Sequence, residues 1–160
     1  MASILDQIKE YPTCRYEAGE TIVEQGASTG KLFFLVEGAV EVVKDGVRIC
    51  VAREPGTVLG EMSVFLQAPH AASGRALEAT VFHVVDDARQ VLENNPALCF
   101  HVCGIMAGRL VSLVEYLVDV KQQYGGQEQP LGMVEGALQS LLQRQPRARV
   151  RPSESTIRKG

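Results

Sequence analysis

The chain lacks the features of a membrane-spanning or exported protein. None of its apolar runs approaches the roughly 20 residues that a helix needs to cross a bilayer. Its N-terminus has no basic segment followed by an apolar one, so no signal peptide is predicted. We therefore expect a cytoplasmic protein without a membrane span.

Cysteine is also scarce. The sequence contains four cysteines, too few for the disulfide framework of a small secreted domain. Cys99 and Cys103 would share one face of a helix, whereas His101 between them would point elsewhere. A metal site needs more ligands than these two thiols. We expect reduced, buried thiols and no metal site.

Positive charge is not in excess either. The net charge of −3 argues against a protein that coats nucleic acid. The stretch 146–160 is an exception, with five basic residues and one acidic residue. Hydrophobic residues make up 46% of the 160 residues, which is enough for the core of one domain.

Short β-prone runs fill most of the chain between residues 14 and 85, after a short helix predicted over 3–10. Turns that contain glycine separate the runs, and Asp45-Gly46 between two of them is typical of a tight hairpin. Many short, evenly spaced strands favour a sandwich or barrel over an α/β sheet. The predicted strands are 20–23, 31–36, 40–43, 47–51, 58–59, 75–77 and 80–85.

Helical patterns occupy the chain after the strands. Asp86-Asp87 can cap a helix that ends at Asn94, and Asn95-Pro96 can begin a second helix that continues to about Tyr124. Apolar residues in this long helix recur at spacings of four and three, as in a coiled-coil seam. The pattern fits either a helix buried in its own domain or, as we favour, a homodimer. The predicted dimer contacts are Met106, Leu110, Leu113, Leu117 and Val120.

Three segments are predicted along the chain. Residues 1–124 form one domain that includes the long helix. Residues 125–145 form a linker and a short amphipathic helix that begins at Leu131. Residues 146–160 form a basic tail that has no apolar periodicity and is predicted to be disordered.

The stretch 60–73 carries the most informative pattern. It closely resembles the phosphate-binding cassette of cyclic-nucleotide-binding domains, as found in catabolite activator proteins, kinase regulatory subunits and gated channels. Similar motifs lie at 16–26, 32–42 and 55–63, so the resemblance covers residues from about 14 to about 124. It implies a mainly β fold, an eight-stranded jelly roll with a short N-terminal helix and a long C-terminal dimerisation helix. The cassette positions that match are Gly60, Glu61, Met62, Ser63, His70, Ala71 and Ala72.

The resemblance also implies a role for each of these residues around a bound cAMP or cGMP. Glu61 would accept a hydrogen bond from the ribose 2′-hydroxyl. Met62 and Ser63 would direct backbone N–H groups at the ligand from the start of a helical turn. Ala71 and Ala72 would leave room for the phosphate. These residues would make the protein a regulatory sensor that acts by rearranging its C-terminal helices.

His70 departs from the family pattern, because the family usually has arginine at this position. Arginine makes a permanently charged, two-pronged contact to phosphate, whereas histidine offers one donor per nitrogen and titrates near pH 6.5. The lost contact corresponds to about 2–3 kcal/mol, or roughly 30- to 150-fold in affinity. Arg75 could replace it only if a bulge at Gly74 turned its side chain towards the ligand.

Two further departures concern the long helix and the segment after it. In related bacterial regulators this helix offers hydroxyl groups to the purine, but the matching residues here are Leu113 and Val114. We expect an apolar lid and poor discrimination between adenine and guanine. No recognition helix is predicted after Tyr124, so specific DNA binding is not expected.

The sequence leaves two functions open. The first is a stand-alone receptor for cAMP or cGMP. The second is a degenerate domain that no longer binds nucleotide and serves as a dimeric protein-interaction module. An enzyme is not expected, because His83 and His101 are isolated and no nucleophile, base and orienting acid can be grouped. No cofactor is predicted.

Overall fold

The computed structural model describes residues 3–124, together with Met133, Gly136 and Gln139. The chain divides into two units, Met1–Leu110 and Val111–Gly160. The predicted linker, most of the predicted short helix from Leu131 and the predicted basic tail lie outside the described residues. The three isolated residues are helical.

Eight strands form two antiparallel sheets in the described part of the first unit. The strands are β1 (Thr13–Tyr16), β2 (Thr21–Val23), β3 (Leu32–Glu37), β4 (Val40–Lys44), β5 (Val47–Ala52), β6 (Val58–Leu59), β7 (Ser73–Ala76) and β8 (Thr80–Val85). One sheet has the order β1-β8-β3-β6 and the other β2-β7-β4-β5. The predicted jelly-roll class is confirmed. The predicted strands do not include β1, because its mostly exposed residues carry no apolar alternation.

Strand β3 explains why the sequence has an unbroken apolar run at 32–35. Successive side chains of a strand point to opposite faces. Leu32 and Phe34 therefore pack in the cluster beneath the helices, while Phe33 and Leu35 pack in the cluster between the sheets. All four residues are buried. The β3 strand thus joins the two hydrophobic clusters of the roll.

The β4–β5 hairpin turns as the sequence predicts. Asp45 and Gly46 connect the strands with φ angles of 51° and 77°. Two consecutive positive φ angles are typical of the type I′ turn, whose twist matches that of antiparallel strands. The Gln25 side chain also donates a hydrogen bond to the Asp45 carboxylate over 2.7 Å, which fixes the turn from outside.

Within residues 3–124, four helices accompany the strands: α1 (Ile4–Ile8), α2 (Glu61–Leu66), α3 (Ala88–Asn94) and α4 (Pro96–Gln123). Ser3 caps α1 as predicted, with its hydroxyl oxygen accepting from the Leu5 N–H. The prediction that the Asp86-Asp87 pair caps α3 is wrong. Asp87 precedes α3 in a left-handed conformation and its side chain makes no capping bond. The Ala88 N–H at this end donates to the Gly30 carbonyl instead, at 2.9 Å.

Helix α4 begins in the core of the roll. The Asn95 side chain accepts from the Leu98 N–H at 3.1 Å, and Pro96 occupies the first turn, where it needs no partner. Leu98 and Val102 are fully buried in the same cluster as Phe34. By length and composition alone α4 could cross a membrane, with 11% of its most apolar window buried. The absence of a membrane span stays a prediction.

In the second unit, the part of α4 that follows Leu110 exposes apolar side chains. Val111, Leu113, Tyr116 and Val118 all have large exposed fractions, 57% for Val111 and 64% for Tyr116. Leu117 and Val120 are half-buried. Exposed apolar residues at this density on a helix are typical of a surface that binds another surface.

Candidate ligand-binding cavity

A cavity of about 340 Å³ opens in the first unit. This volume lies near the lower end of the range for small-molecule sites, about 300–1,000 Å³. The cavity is bounded by strands of the β2-β7-β4-β5 sheet, by the β6–α2 segment and by one residue of α4. Its lining residues are Val23, Val42, Cys50, Ala52, Thr57, Val58, Leu59, Gly60, Glu61, Met62, Ser63, His70, Ala71, Ala72, Ser73, Gly74 and Arg109.

The structure brings all of the sequence-predicted site residues to this cavity. Gly60, Glu61, Met62 and Ser63 approach it from the start of α2, and His70, Ala71 and Ala72 from the segment that leads into β7. Their individual roles towards a ligand remain predictions.

Gly60 allows the tight turn that starts α2. Its φ of +91° is unfavourable for other residues, and a Cβ atom there would lie 2.6 Å from the Lys31 carbonyl oxygen. The Ser63 hydroxyl in the same six-residue helix donates to the carbonyl oxygen of Ala68, which follows the end of the helix, over 2.5 Å. These contacts fix the path of the chain from Gly60 to the cavity wall at His70.

Glu61 forms a buried ion pair with Arg109. The Arg109 Nη1 atom lies 2.5 Å from Oε1 of Glu61, and Nη2 donates to the Val58 carbonyl oxygen over 2.9 Å. The Glu61 side chain is 6% exposed, whereas that of Arg109 is 43% exposed. A carboxylate buried this deeply requires a partner to remain charged, and Arg109 supplies it from α4.

Sequence reasoning missed Arg109 as a site residue. One signal could have identified it. Arg109 is the first Asp, Glu, Lys or Arg after Pro96, in a helix that is otherwise apolar up to that point. A lone permanent charge in such a stretch indicates a specific partner.

His70 lies in the cavity wall as a buried residue, 5% exposed. Its Nε2 atom is 3.0 Å from Oγ1 of Thr29, and its backbone N–H donates to the Ala27 carbonyl at 2.8 Å. Burial lowers the pKa of the His70 imidazole below its ordinary value, because the protonated form loses hydration. The neutral ring is therefore the stable form near neutral pH.

Arg75 does not take the place of the missing arginine. Arg75 lies opposite Glu41 in the β4–β7 ladder, whose register does not shift at Gly74. The register shifts on the other side of β7, between Thr21 and Val23 of β2, but Arg75 is exposed and does not line the cavity. The Arg75 Nη1 atom is 3.8 Å from the Glu41 carboxylate, which also binds Arg48 at 2.7 Å. Glu41 and its two arginines are absent from the cavity wall. The interpretation of Arg75 as an exposed strand residue agrees with the structure.

The remaining candidate groups are separate from one another. His83 donates from Nδ1 to the Tyr11 carbonyl oxygen over 2.8 Å, which is a structural contact. The expectation of buried thiols is wrong for Cys14, Cys50 and Cys103, which are exposed, while Cys99 is half-buried. All four cysteines are free. No group of three potential metal ligands occurs among the described residues.

Comparison with known proteins identifies the family of the domain. The family model "Cyclic nucleotide-binding domain" matches residues 13–95. The chain is 36% identical over 85 residues to a cAMP-dependent protein kinase regulatory subunit of Yarrowia lipolytica, covering 52% of this chain and 21% of that protein. The chain thus spans only a fifth of that relative's length.

Two solved structures share the fold. A cyclic nucleotide-binding domain from Methylobacillus flagellatus matches with a TM-score of 0.62 and 21% identity, covering 72% of this chain and 71% of that one. The catabolite activator protein of Thermus thermophilus matches with a TM-score of 0.60 and 20% identity, covering 74% and 59%. Together with the family match over more than half of the chain, the fold and the cavity show that this protein belongs to the cyclic nucleotide-binding domain family.

Proposed function

We propose that this protein is a regulatory sensor that binds a ligand of the cyclic-nucleotide type, with cAMP and cGMP as the first candidates. The observation that carries the proposal is the convergence of Glu61, Ser63, His70 and Ala72 on one cavity of suitable size. The named relatives support the ligand class, because one is a cAMP-dependent regulatory subunit.

Glu61 is suited to hold a ribose. The hydrogen bond from Arg109 goes to its Oε1 atom, which leaves Oε2 as an acceptor for a ribose hydroxyl. A buried carboxylate is a strong acceptor for such a donor, since hydrogen bonds to charged groups contribute about 1.5–3 kcal/mol. Arg109 holds this carboxylate in place.

Binding of the phosphate depends on His70. In its neutral form the ring offers one uncharged donor, which gives no charge-assisted contact. Protonation of the ring would supply one positive charge beside the phosphate. Because burial lowers the His70 pKa, this protonation is incomplete at neutral pH and binding of a cyclic nucleotide would take up a proton.

Arg109 offers a route for the signal. Its two nitrogens bind Glu61 of the cassette and the carbonyl of Val58 in β6, and its backbone belongs to α4. A ligand that bonds Glu61 changes the environment of this ion pair. A ligand shifts an equilibrium between two arrangements of a helix by its difference in affinity for them. We propose that α4 is the responding element, and that the protein acts in the cytoplasm as a homodimer without specific DNA binding.

A second candidate function is a dimeric interaction module that has lost its ligand. Two observations favour it: the His70 ring is already bonded to Thr29, and α4 exposes Val111, Leu113 and Tyr116. In that case α4 and the segment after it would be the working surface.

Calorimetry of the full chain with cAMP tests the sensor. We expect tighter binding near pH 6 than near pH 7.5, by at most about 30-fold, because uptake of one proton limits the slope. We expect His70→Arg to tighten binding near pH 7.5 by roughly 30- to 150-fold. His101→Arg is the control, since it adds the same charge outside the cavity wall. Absence of heat with cAMP and cGMP for both the natural chain and His70→Arg would contradict the sensor.

The ion pair is tested by urea unfolding. Arg109→Met leaves Glu61 buried without a partner, and we expect a loss of about 1–3 kcal/mol in the free energy of unfolding, reduced from a fully buried case because Arg109 is partly exposed. The double variant Arg109→Met/Glu61→Gln should recover part of this loss, because the amide carries no charge that needs a partner. Arg89→Met is the control, because the Arg89–Glu93 pair is exposed and worth less than about 0.5 kcal/mol. Equal losses for Arg109→Met and Arg89→Met would disprove the role of the pair.

Light scattering tests the homodimer. We expect twice the chain mass of 17.4 kDa, because Leu110 and Leu113 are each 45% exposed on α4 and need cover. Leu113→Glu should give the monomer mass, whereas Ser112→Glu, on the adjacent position of the helix, should leave the dimer intact. A monomeric natural chain would rule out the proposed dimer.

A further inference from the structure

The permanent charges that line the cavity cancel one another. Glu61 contributes one negative charge and Arg109 one positive charge, and the two are paired at 2.5 Å. Arg48 on β5 and Arg75 on β7 bind Glu41 and do not line the cavity. Among the described residues, the cavity wall therefore carries no net charge when His70 is neutral.

Arg109 is held at the cavity wall by two contacts. Its Nη1 atom binds Glu61 and its Nη2 atom binds the Val58 carbonyl. The single positive charge of Arg109 is balanced by the Glu61 carboxylate, so an anion that entered while both remained in place would leave a net negative charge in the cavity. If an anion drew Arg109 away, Glu61 would remain buried without compensation.

Thr29 holds the His70 ring at the cavity wall. Thr29 Oγ1 accepts from the Lys31 N–H at 3.3 Å and lies 3.0 Å from Nε2 of His70. Lys31, two residues after Thr29, is itself paired with Asp86 at 3.0 Å. The buried His70 ring in its neutral form adds no charge to the cavity wall.

The other hydrogen-bond donors in the cassette offer an anion only weak electrostatic attraction. Helix α2 has six residues, so few peptide dipoles are aligned behind its start. The Ser63 hydroxyl already donates to the Ala68 carbonyl. The groups that remain towards a ligand are a carboxylate oxygen of Glu61, neutral donors and a largely apolar wall that includes Val23, Val42, Ala52 and Leu59.

We propose that near neutral pH this cavity binds an uncharged nucleoside in preference to the cyclic nucleotide with the same base. The inference rests on the proposed function, in that the cavity is taken as the ligand site, and it narrows the ligand class. A nucleoside keeps the ribose hydroxyls, which can donate hydrogen bonds to Glu61. It also keeps the base, which the apolar wall can cover. The nucleoside has no phosphate, so its binding brings no negative charge that the cavity wall would have to compensate.

Calorimetry of the full chain near pH 7.5 tests the preference with two matched ligand pairs, adenosine against cAMP and guanosine against cGMP. Within a pair the base and ribose are the same and the cyclic phosphate differs. We expect the nucleoside of at least one pair to bind about 10-fold or more tightly than its cyclic nucleotide, a difference of about 1.4 kcal/mol. 2′-Deoxyadenosine should bind more weakly than adenosine, because Glu61 loses its donor.

The variant His70→Arg should reverse the preference, because it adds a permanent charge to the wall that a phosphate can use and a nucleoside cannot. His101→Arg, which adds the same charge outside the wall, should leave the preference unchanged. A reversal by both variants would mean that net charge alone determines the preference, and would overturn the inference.

The remaining outcomes separate this inference from the proposed function. Cyclic nucleotides that bind as tightly as their nucleosides, or more tightly, overturn the nucleoside preference and leave the sensor intact. If neither nucleosides nor cyclic nucleotides bind at millimolar concentration, the cavity is not their site and both proposals fail.

Discussion

The buried ion pair between Glu61 and Arg109 organises the functional part of the molecule. It joins residues that are 48 positions apart in sequence, and the same guanidinium binds the carbonyl of Val58 in β6. Burying a carboxylate that is 6% exposed is costly unless it has a partner. Arg109 therefore ties the cassette and β6 to α4 and holds the Glu61 carboxylate at the cavity.

Because this pair is neutral as a whole, residue 70 controls the net charge of the cavity wall. An arginine there would leave the wall positive and ready for an anion. The His70 ring is buried and hydrogen-bonded to Thr29, and the loss of hydration lowers its pKa. The neutral ring leaves the cavity wall without net charge. A single side chain thereby separates an anion site from a site for uncharged ligands while the fold stays the same.

The sequence predicted the features that depend on local motifs. The strands β2–β8, the Asp45-Gly46 turn, the length of α4 and the assembly of the cassette residues all come from patterns within a few residues of one another. The predictions failed for features that depend on contacts between residues far apart in the sequence. Arg109 meets Glu61 only because α4 packs back through Leu98 and Val102, and Asp87 caps nothing because Gly30 supplies the carbonyl for Ala88. The exposure of Cys50 and Cys103 was also missed, since composition indicates that cysteine is often buried but not which strand or helix face is covered.

The account depends most directly on the protonation state of His70 in the ligand-free protein. Nuclear magnetic resonance of the three histidine rings, with His70 identified by its loss in His70→Arg, measures this state as a function of pH. We predict that the His70 ring titrates below its ordinary pKa of about 6.5. A His70 ring that titrates at or above about 6.5 would contradict the account, because the cavity wall would then carry positive charge near neutral pH.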